Sequence, residues 1–300
     1  MRFLDGLKFE NHDSLVKFRM DVQIGLMPPK PVIVIDLFPE ILAGLVDLLS
    51  GLNAPDWQRP TVCSCWSVKD VALHLLGGEI ANLSRRRDGL TSEASLEGWT
   101  ELVAYLNKWN NDWVQVARRI STSLLVELLQ VTGDQMNCYF LTLDSQALGG
   151  SVAWVGAGPA PIWLDLAREY TERWHHQQHI RDAVGQAGFK QPRYLAPVLA
   201  TFVRALPRTF ETISAKQGTS VTLTIAGDAG GQWSVVCSEN GWDFFTGAPT
   251  SPTAETVLEE ETAWRLFTHG LTPDQIRATV GTKGDRKLGS QVLEMVSIIS

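Results

Sequence analysis

The spacing of apolar residues changes once along the chain, and that change constrains the fold more than any other feature. From Leu37 to Gly185 apolar side chains recur every three to four residues, as helices require. From Val221 the run VTLTI alternates strictly, as a half-buried strand does. Helices first and strands afterwards predict an α+β chain of two domains, a helical bundle at 30–190 and a smaller α+β domain at 191–300. The 300-residue length agrees, since single cores rarely grow past roughly 250 residues. A hydrophobic share of 44% with 20% charged residues is that of a chain able to bury a core.

In the helical part, Leu37, Phe38, Ile41, Leu42, Leu45, Leu48, Leu49 and Leu52 mark a first helix with Asp36 as its N-cap. Ser67, with Asp70 three residues on, opens a second through Val71, Leu75, Leu76 and Leu83 toward Gly89. Ser95 opens a third along Trp99, Leu102, Leu106, Trp113, Val116 and Ile120, and LLVELLQ resumes after a break at Ser121. The glycine-rich ALGGSVAWVGAGPAP precedes a last long helix from about Pro161 to Gly185. Further on, QWSVVCS, GWDFFTG and TAETVLE read as strands of an antiparallel sheet, Thr272 and Pro273 open a helix, and LGSQVLEMVSII closes the chain. Residues 1–29, polar and weakly periodic up to the break at MPPKP (27–31), read as a flexible N-terminal extension, and a chain lacking residues 1–26 and beginning at Met27 is expected to fold equally well.

Composition excludes several functions. Lys plus Arg number 26 against 33 Asp plus Glu, a net charge of −7, so no basic surface dominates to neutralise phosphates and nucleic acid is not an expected partner. Four cysteines without a C-x-x-C pair suit reducing cytoplasm. The first residues lack the apolar block of an export signal. The longest apolar run, ILAGLVDLLSGL, is interrupted by Asp47 and too short to span a bilayer. No phosphate-binding glycine loop occurs. Arg85, Arg86 and Arg87 fall at a helix C-terminus and read as a solvated cap, and Cys63 and Cys65 read as packing residues.

Chemistry concentrates in one window. Of six histidines, His175, His176 and His179 lie together in EYTERWHHQQHIRDAVG. On a helix, Glu172, His176 and His179 share a stripe roughly 60° wide, extended backwards by Asp165 and Arg168. A carboxylate one turn from an imidazole suits Zn²⁺ or a similar ion. Trp163, Leu166, Tyr170 and Trp174 occupy the opposite face, which would turn the stripe to solvent, so spacing leaves both readings open. His74, beside Val71, Gly77, Gly78 and Ala81, is by itself more often a hydrogen-bonded core histidine than a ligand.

The run TVCSCWSVKDVALHLLGGE resembles the W-[ST]-V-x-D-x-x-x-H helix of DinB-like metal-binding bundles, with His74 at the ligand position. EYTERWHHQQHIRDAVG resembles the last-helix E-x-x-x-H-x-x-D-I-R-x-A-x-G signature of the mycothiol-dependent maleylpyruvate isomerase branch, with Glu172 and His176 at its ligand positions. The resemblance extends across nearly everything after Pro31.

It implies a DinB-like up-down four-helix bundle followed by a sterol-carrier-like α+β domain. It also implies that His74, Glu172 and His176 hold Zn²⁺ or another divalent metal, with open positions facing a cleft. Three protein ligands plus water is the catalytic pattern. His179 stands where the family commonly has Asp, and orients a ligand or joins the coordination sphere. Arg265 is the basic residue of the second domain to compare with the one these isomerases use. The implied cofactor is a low-molecular-weight thiol such as mycothiol. Its thiolate adds to an activated small molecule and leaves again in an isomerase, or stays in an S-transferase. The expected partners are the thiol and a small-molecule substrate, for a cytoplasmic monomer or weak homo-oligomer. The alternative is a non-catalytic metal-binding protein whose C-terminal domain binds an apolar ligand or partner.

Overall fold

The computed structural model describes residues 25–91, 98–156 and 158–297. Two compact units emerge, a helical one formed mainly by 31–203 and an α+β one formed mainly by 204–266 and 271–295. The division falls after Val203 rather than at 190/191. Gly188 and Pro192 resemble a linker in sequence. Instead the chain turns tightly there, and Pro192 sits in the first turn of a further helix, where its missing N–H costs nothing. That helix docks back: Tyr170 Oη donates to the carbonyl of Tyr194 (3.1 Å) and Trp174 Nε1 to that of Phe189 (2.7 Å).

The helical unit contains α1 (Phe38–Ser50), α2 (Val68–Asn82), α3 (Trp99–Ala117), α4 (Thr122–Leu141), α5 (Ile162–Val184) and α6 (Pro192–Phe202). In α1 the expected face is buried through Phe38, Ile41, Leu42, Leu45 and Leu49. Asp36 does not cap it. The chain is already coiled at Leu37, with φ −90° and ψ −20°, so no extended residue precedes the helix and Asp36 meets Arg193 instead (3.3 Å). α2 starts as its sequence specifies: the Asp70 amide donates to Ser67 Oγ (3.4 Å) and the Ser67 amide to Asp70 Oδ2 (3.0 Å).

α2 is the central helix, packed against α3, α4 and α5, and Val68, Val71, Ala72, Leu73, Leu75 and Leu76 are all buried. Ser121 caps α4. Within α4, Gly133 lets α1 approach, since a Cβ there would lie 2.6 Å from Leu42. α5 ends on Gly185, whose φ of +72° is the left-handed stop the sequence predicts. Beyond α2 the helix widens into a π-turn at Leu83–Arg87. The proposed cap for α3, Ser95, lies outside the described residues.

The α+β unit carries β1 (Leu26–Met27), α7 (Leu206–Thr209), β2 (Ser220–Ala226), β3 (Gly231–Ser238), β4 (Gly241–Gly247), β5 (Ala254–Glu259), α8 (Glu260–Phe267, which runs across the division), α9 (Pro273–Thr279), β6 (Gly281–Gly284) and α10 (Arg286–Ser290). The sheet order is β1-β4-β3-β2-β5-β6. It is mixed rather than antiparallel, because β5 runs parallel to β2. β4 gives its outer edge to β1, so the chain crosses back and adds β5 beside β2. Alternation records which face is buried, not strand direction. The inward residues Val221, Leu223 and Ile225 are buried as expected. Of the sequence-expected extension, residues 1–24 lie outside the described residues, and Leu26–Met27 pairs with Thr246–Gly247 rather than forming a free appendage. Among the described residues no helix is long and apolar enough to cross a membrane.

Candidate metal centre

α5 is buried on both faces. Trp163, Leu166, Tyr170 and Trp174 fill one side, and His175, His176, Gln177, Gln178 and His179 are buried as well. The solvent-facing stripe suggested by the helical wheel is covered by α2, which packs along α5. This brings His74 to the stripe: its Nε2 lies 3.0 Å from Glu172 Oε1, and His176 Nε2 lies 3.2 Å from the same oxygen. The His74 and His176 rings meet edge to face at 4.7 Å, and Trp66 packs on His74 at 5.1 Å. One donor atom from each of His74, Glu172 and His176 lies within 4.8 Å of the others.

The electrostatics favour donor forms. Burial opposes the Glu172 carboxylate, but His176 and His74 outweigh it and hold the group well below the usual carboxylate range. Burial pulls His176 down despite Glu172, and takes its neighbour His175 to about 3. An ionised Glu172 beside a His176 ring biased toward its neutral form follows.

His179 points toward a residue that sequence reading assigned to packing. Cys63 Sγ is 3.2 Å from His179 Nδ1, and Cys63, His176 and His179 form a second group of donors within 4.8 Å of one another. Cys63 sits in a tight loop between Arg59 and Ser67, where Trp66 N donates to its carbonyl (3.0 Å) and Thr61 Oγ1 to the Trp66 carbonyl (2.9 Å). Burial pushes its thiol up to about 11. Separated from His179 by 116 positions in sequence, it carried no spacing signal. Arg265 belongs to the α+β unit, where it pairs with Glu261 (2.6 Å) and stacks on Trp264.

Beside His74 and Glu172 opens a cavity of about 380 Å³, walled by Trp109, Trp113 and Trp154 and floored by Glu79, Arg168, Glu169 and Arg173. The sequence marked Gly77 and Gly78 as leaving room here. Trp113 takes that room, packing over Gly77 and donating Nε1 to the Leu73 carbonyl (2.7 Å). The floor is an ion-pair network. Glu169 is bound by Arg173 (2.7 Å), Arg168 and Asn82 (3.1 Å), and Asp165 by Arg168 (2.9 Å) and Arg86. Arg86 is therefore structural rather than a solvated cap, because the π-turn directs it inward toward α5. Glu79 is the exception in this network: burial outweighs Arg173 and lifts its carboxyl to about 7.

A helical domain that gathers two imidazoles and a carboxylate from α2 and α5 beside an aromatic cavity defines a class, helical bundles with a His–Glu–His donor set. Residues 38–181 match the family model of the mycothiol maleylpyruvate isomerase N-terminal domain, so the helical domain is similar to the N-terminal domain of that family. In fold, the chain is similar to the crystal structure of the mycothiol-dependent maleylpyruvate isomerase. The TM-score is 0.51 at 12% identity, over 83% of this chain and 91% of that one. A histidine-to-alanine mutant of that isomerase matches with a TM-score of 0.50, also at 12% identity and over the same shares. No curated protein matches in sequence.

Proposed function

We propose that this protein is a mycothiol-dependent, maleylpyruvate isomerase-like enzyme that holds one divalent metal ion, of which Zn²⁺ is our choice, on His74, Glu172 and His176. The observation that carries the reading is the convergence of these three donors on the cavity of a domain similar to that family's N-terminal domain. The residues fit an ion. Tetrahedral Zn²⁺ with bonds of about 2.0–2.1 Å sets neighbouring donors about 3.3 Å apart; His74 Nε2 and His176 Nε2 lie 3.0 and 3.2 Å from Glu172 Oε1, and all three donors lie within 4.8 Å of one another.

When bound, the ion would supply positive charge that keeps a thiol ionised near neutral pH, and the thiol would supply the nucleophile for addition to an activated double bond or for S-transfer. The chain's own groups do the rest. Glu172 contributes the negative charge of the donor set, and Trp66 fixes the plane of His74. Trp109, Trp113 and Trp154 shield a small molecule from water, while the bound guanidinium groups of Arg168 and Arg173 line the cavity floor without being free to leave Glu169. His179 packs edge to face on His176 with ring centroids 5.3 Å apart, and its Nδ1 faces Cys63. The reading includes a cytoplasmic location and a monomer or weak homo-oligomer acting on a small molecule.

The test is turnover. The metal-loaded chain, given mycothiol and maleylpyruvate, should isomerise the substrate only when the thiol is present, and Glu172→Gln should abolish that activity. Isomerisation at the same rate without thiol, or no thiol-dependent reaction by a fully loaded chain, overturns the reading.

A further inference from the structure

We propose that Cys63, His176 and His179 form a second ion-holding set, which shares His176 with the first and takes one soft divalent ion in place of an ion held by His74 and Glu172. The three donors lie within 4.8 Å of one another, with Cys63 Sγ and His179 Nδ1 3.2 Å apart. An independent observation points the same way. His176 is 8% exposed, and its Nδ1 is buried with no hydrogen-bond partner, although Nε2 of the same ring faces Glu172. Buried polar atoms are rarely left unpaired, and a ring nitrogen offered inward beside a thiol and a second imidazole is the donor this set needs. We assign Nδ1 to it.

The donor chemistry selects the ion. One sulfur and two imidazole nitrogens favour Zn²⁺, Cd²⁺ and similar thiophilic ions over Mg²⁺ or Ca²⁺, which prefer oxygen. The first set, with a carboxylate in place of the sulfur, is harder. As the sulfur–metal bond forms, the Cys63 S–H bond breaks and its proton passes to solvent, with no change of oxidation state. One neutral imidazole serves one ion at a time, so occupation of this set withdraws His176 from His74 and Glu172. A soft ion thus competes with the ion of the proposed function. The competition rests on that reading, whereas the binding itself does not.

The experiment uses the full chain with the exposed Cys65 and Cys138 changed to Ser, stripped with a chelator and titrated with Cd²⁺. A sulfur-to-cadmium charge-transfer band should appear and saturate at about one ion per chain. It should persist in His74→Ala, disappear in both Cys63→Ser and Cys63→Ala, and require at least about tenfold more Cd²⁺ in His179→Ala. Circular dichroism confirms that each variant keeps its helices. No sulfur band in the parent chain, or a band lost in His74→Ala as fully as in Cys63→Ser, overturns the proposal. Cd²⁺ bound without a sulfur band and released by His74→Ala would defeat this set while leaving the proposed function intact. A sulfur band in a chain that shows no thiol-dependent turnover would do the reverse.

Discussion

Two adjacent glycines in α2 should respond to the same substitution with opposite signs. Both Gly77 and Gly78 lie inside the helix, where Gly→Ala adds about 1 kcal/mol of helix stability by limiting the freedom of the unfolded chain. A Cβ on Gly78 meets nothing within 4 Å, so Gly78→Ala should keep most of that gain. A Cβ on Gly77 would lie 2.4 Å from Trp113 Nε1 and 2.5 Å from its Cδ1. The indole must move, at an overpacking cost of about 1–3 kcal/mol. Its bond to the Leu73 carbonyl goes with it, for about 1 kcal/mol more. Against the helix gain, Gly77→Ala should lose roughly 1–3 kcal/mol net, leaving the two variants about 2–4 kcal/mol apart. Urea denaturation followed by far-ultraviolet circular dichroism measures this, with the midpoint falling for Gly77→Ala and rising for Gly78→Ala. If Gly77→Ala is as stable as Gly78→Ala, Trp113 does not occupy the space over α2 and the cavity wall is wrongly drawn.

Glu79 gives a pH signature. Its carboxyl is raised from 4.5 to about 7, so the folded chain holds a proton that the unfolded chain releases; the contribution is full below about 4.5 and lost as pH rises through about 7. The stability of wild type relative to Glu79→Gln should therefore decline between pH 5 and pH 8 in urea titrations, and a constant difference would refute the buried-acid assignment. At the sheet edge, a chain starting at Lys30 lacks the β1 pairing to Thr246 and Gly247 and should melt at lower temperature than one starting at Gly25; equal melting would show that β1 contributes nothing.

The helices were legible because each carries its own local signal. Ser67 and Asp70, Ser121 and Gly185 mark ends by chemistry confined to a few residues, whereas Asp36 misleads because the preceding backbone is already helical. Strand positions were legible and strand direction was not, since the pairing of β5 with β2 depends on which edge β1 leaves open. For the site, His74, Glu172 and His176 were named from two motifs, and their mutual distances required the packing of α2 on α5. The wheel failed for α5 because its polar stripe is buried at His176 and His179 and lines a cavity at Arg168 and Glu172, so polarity there does not report a solvent face. Cys63 and the inward turn of Arg86 were invisible for a related reason. Each is positioned by a local irregularity, a tight loop and a π-turn, that leaves no periodic trace.

His176 is the donor common to everything proposed for this site, and the metal content of the His176→Ala chain tests the account most directly. Purified wild type and His176→Ala, checked by circular dichroism for equal helix content, are compared by elemental analysis after equilibration with Zn²⁺. The account predicts about one ion per chain in wild type and essentially none in the variant. Equal metal in both would contradict it.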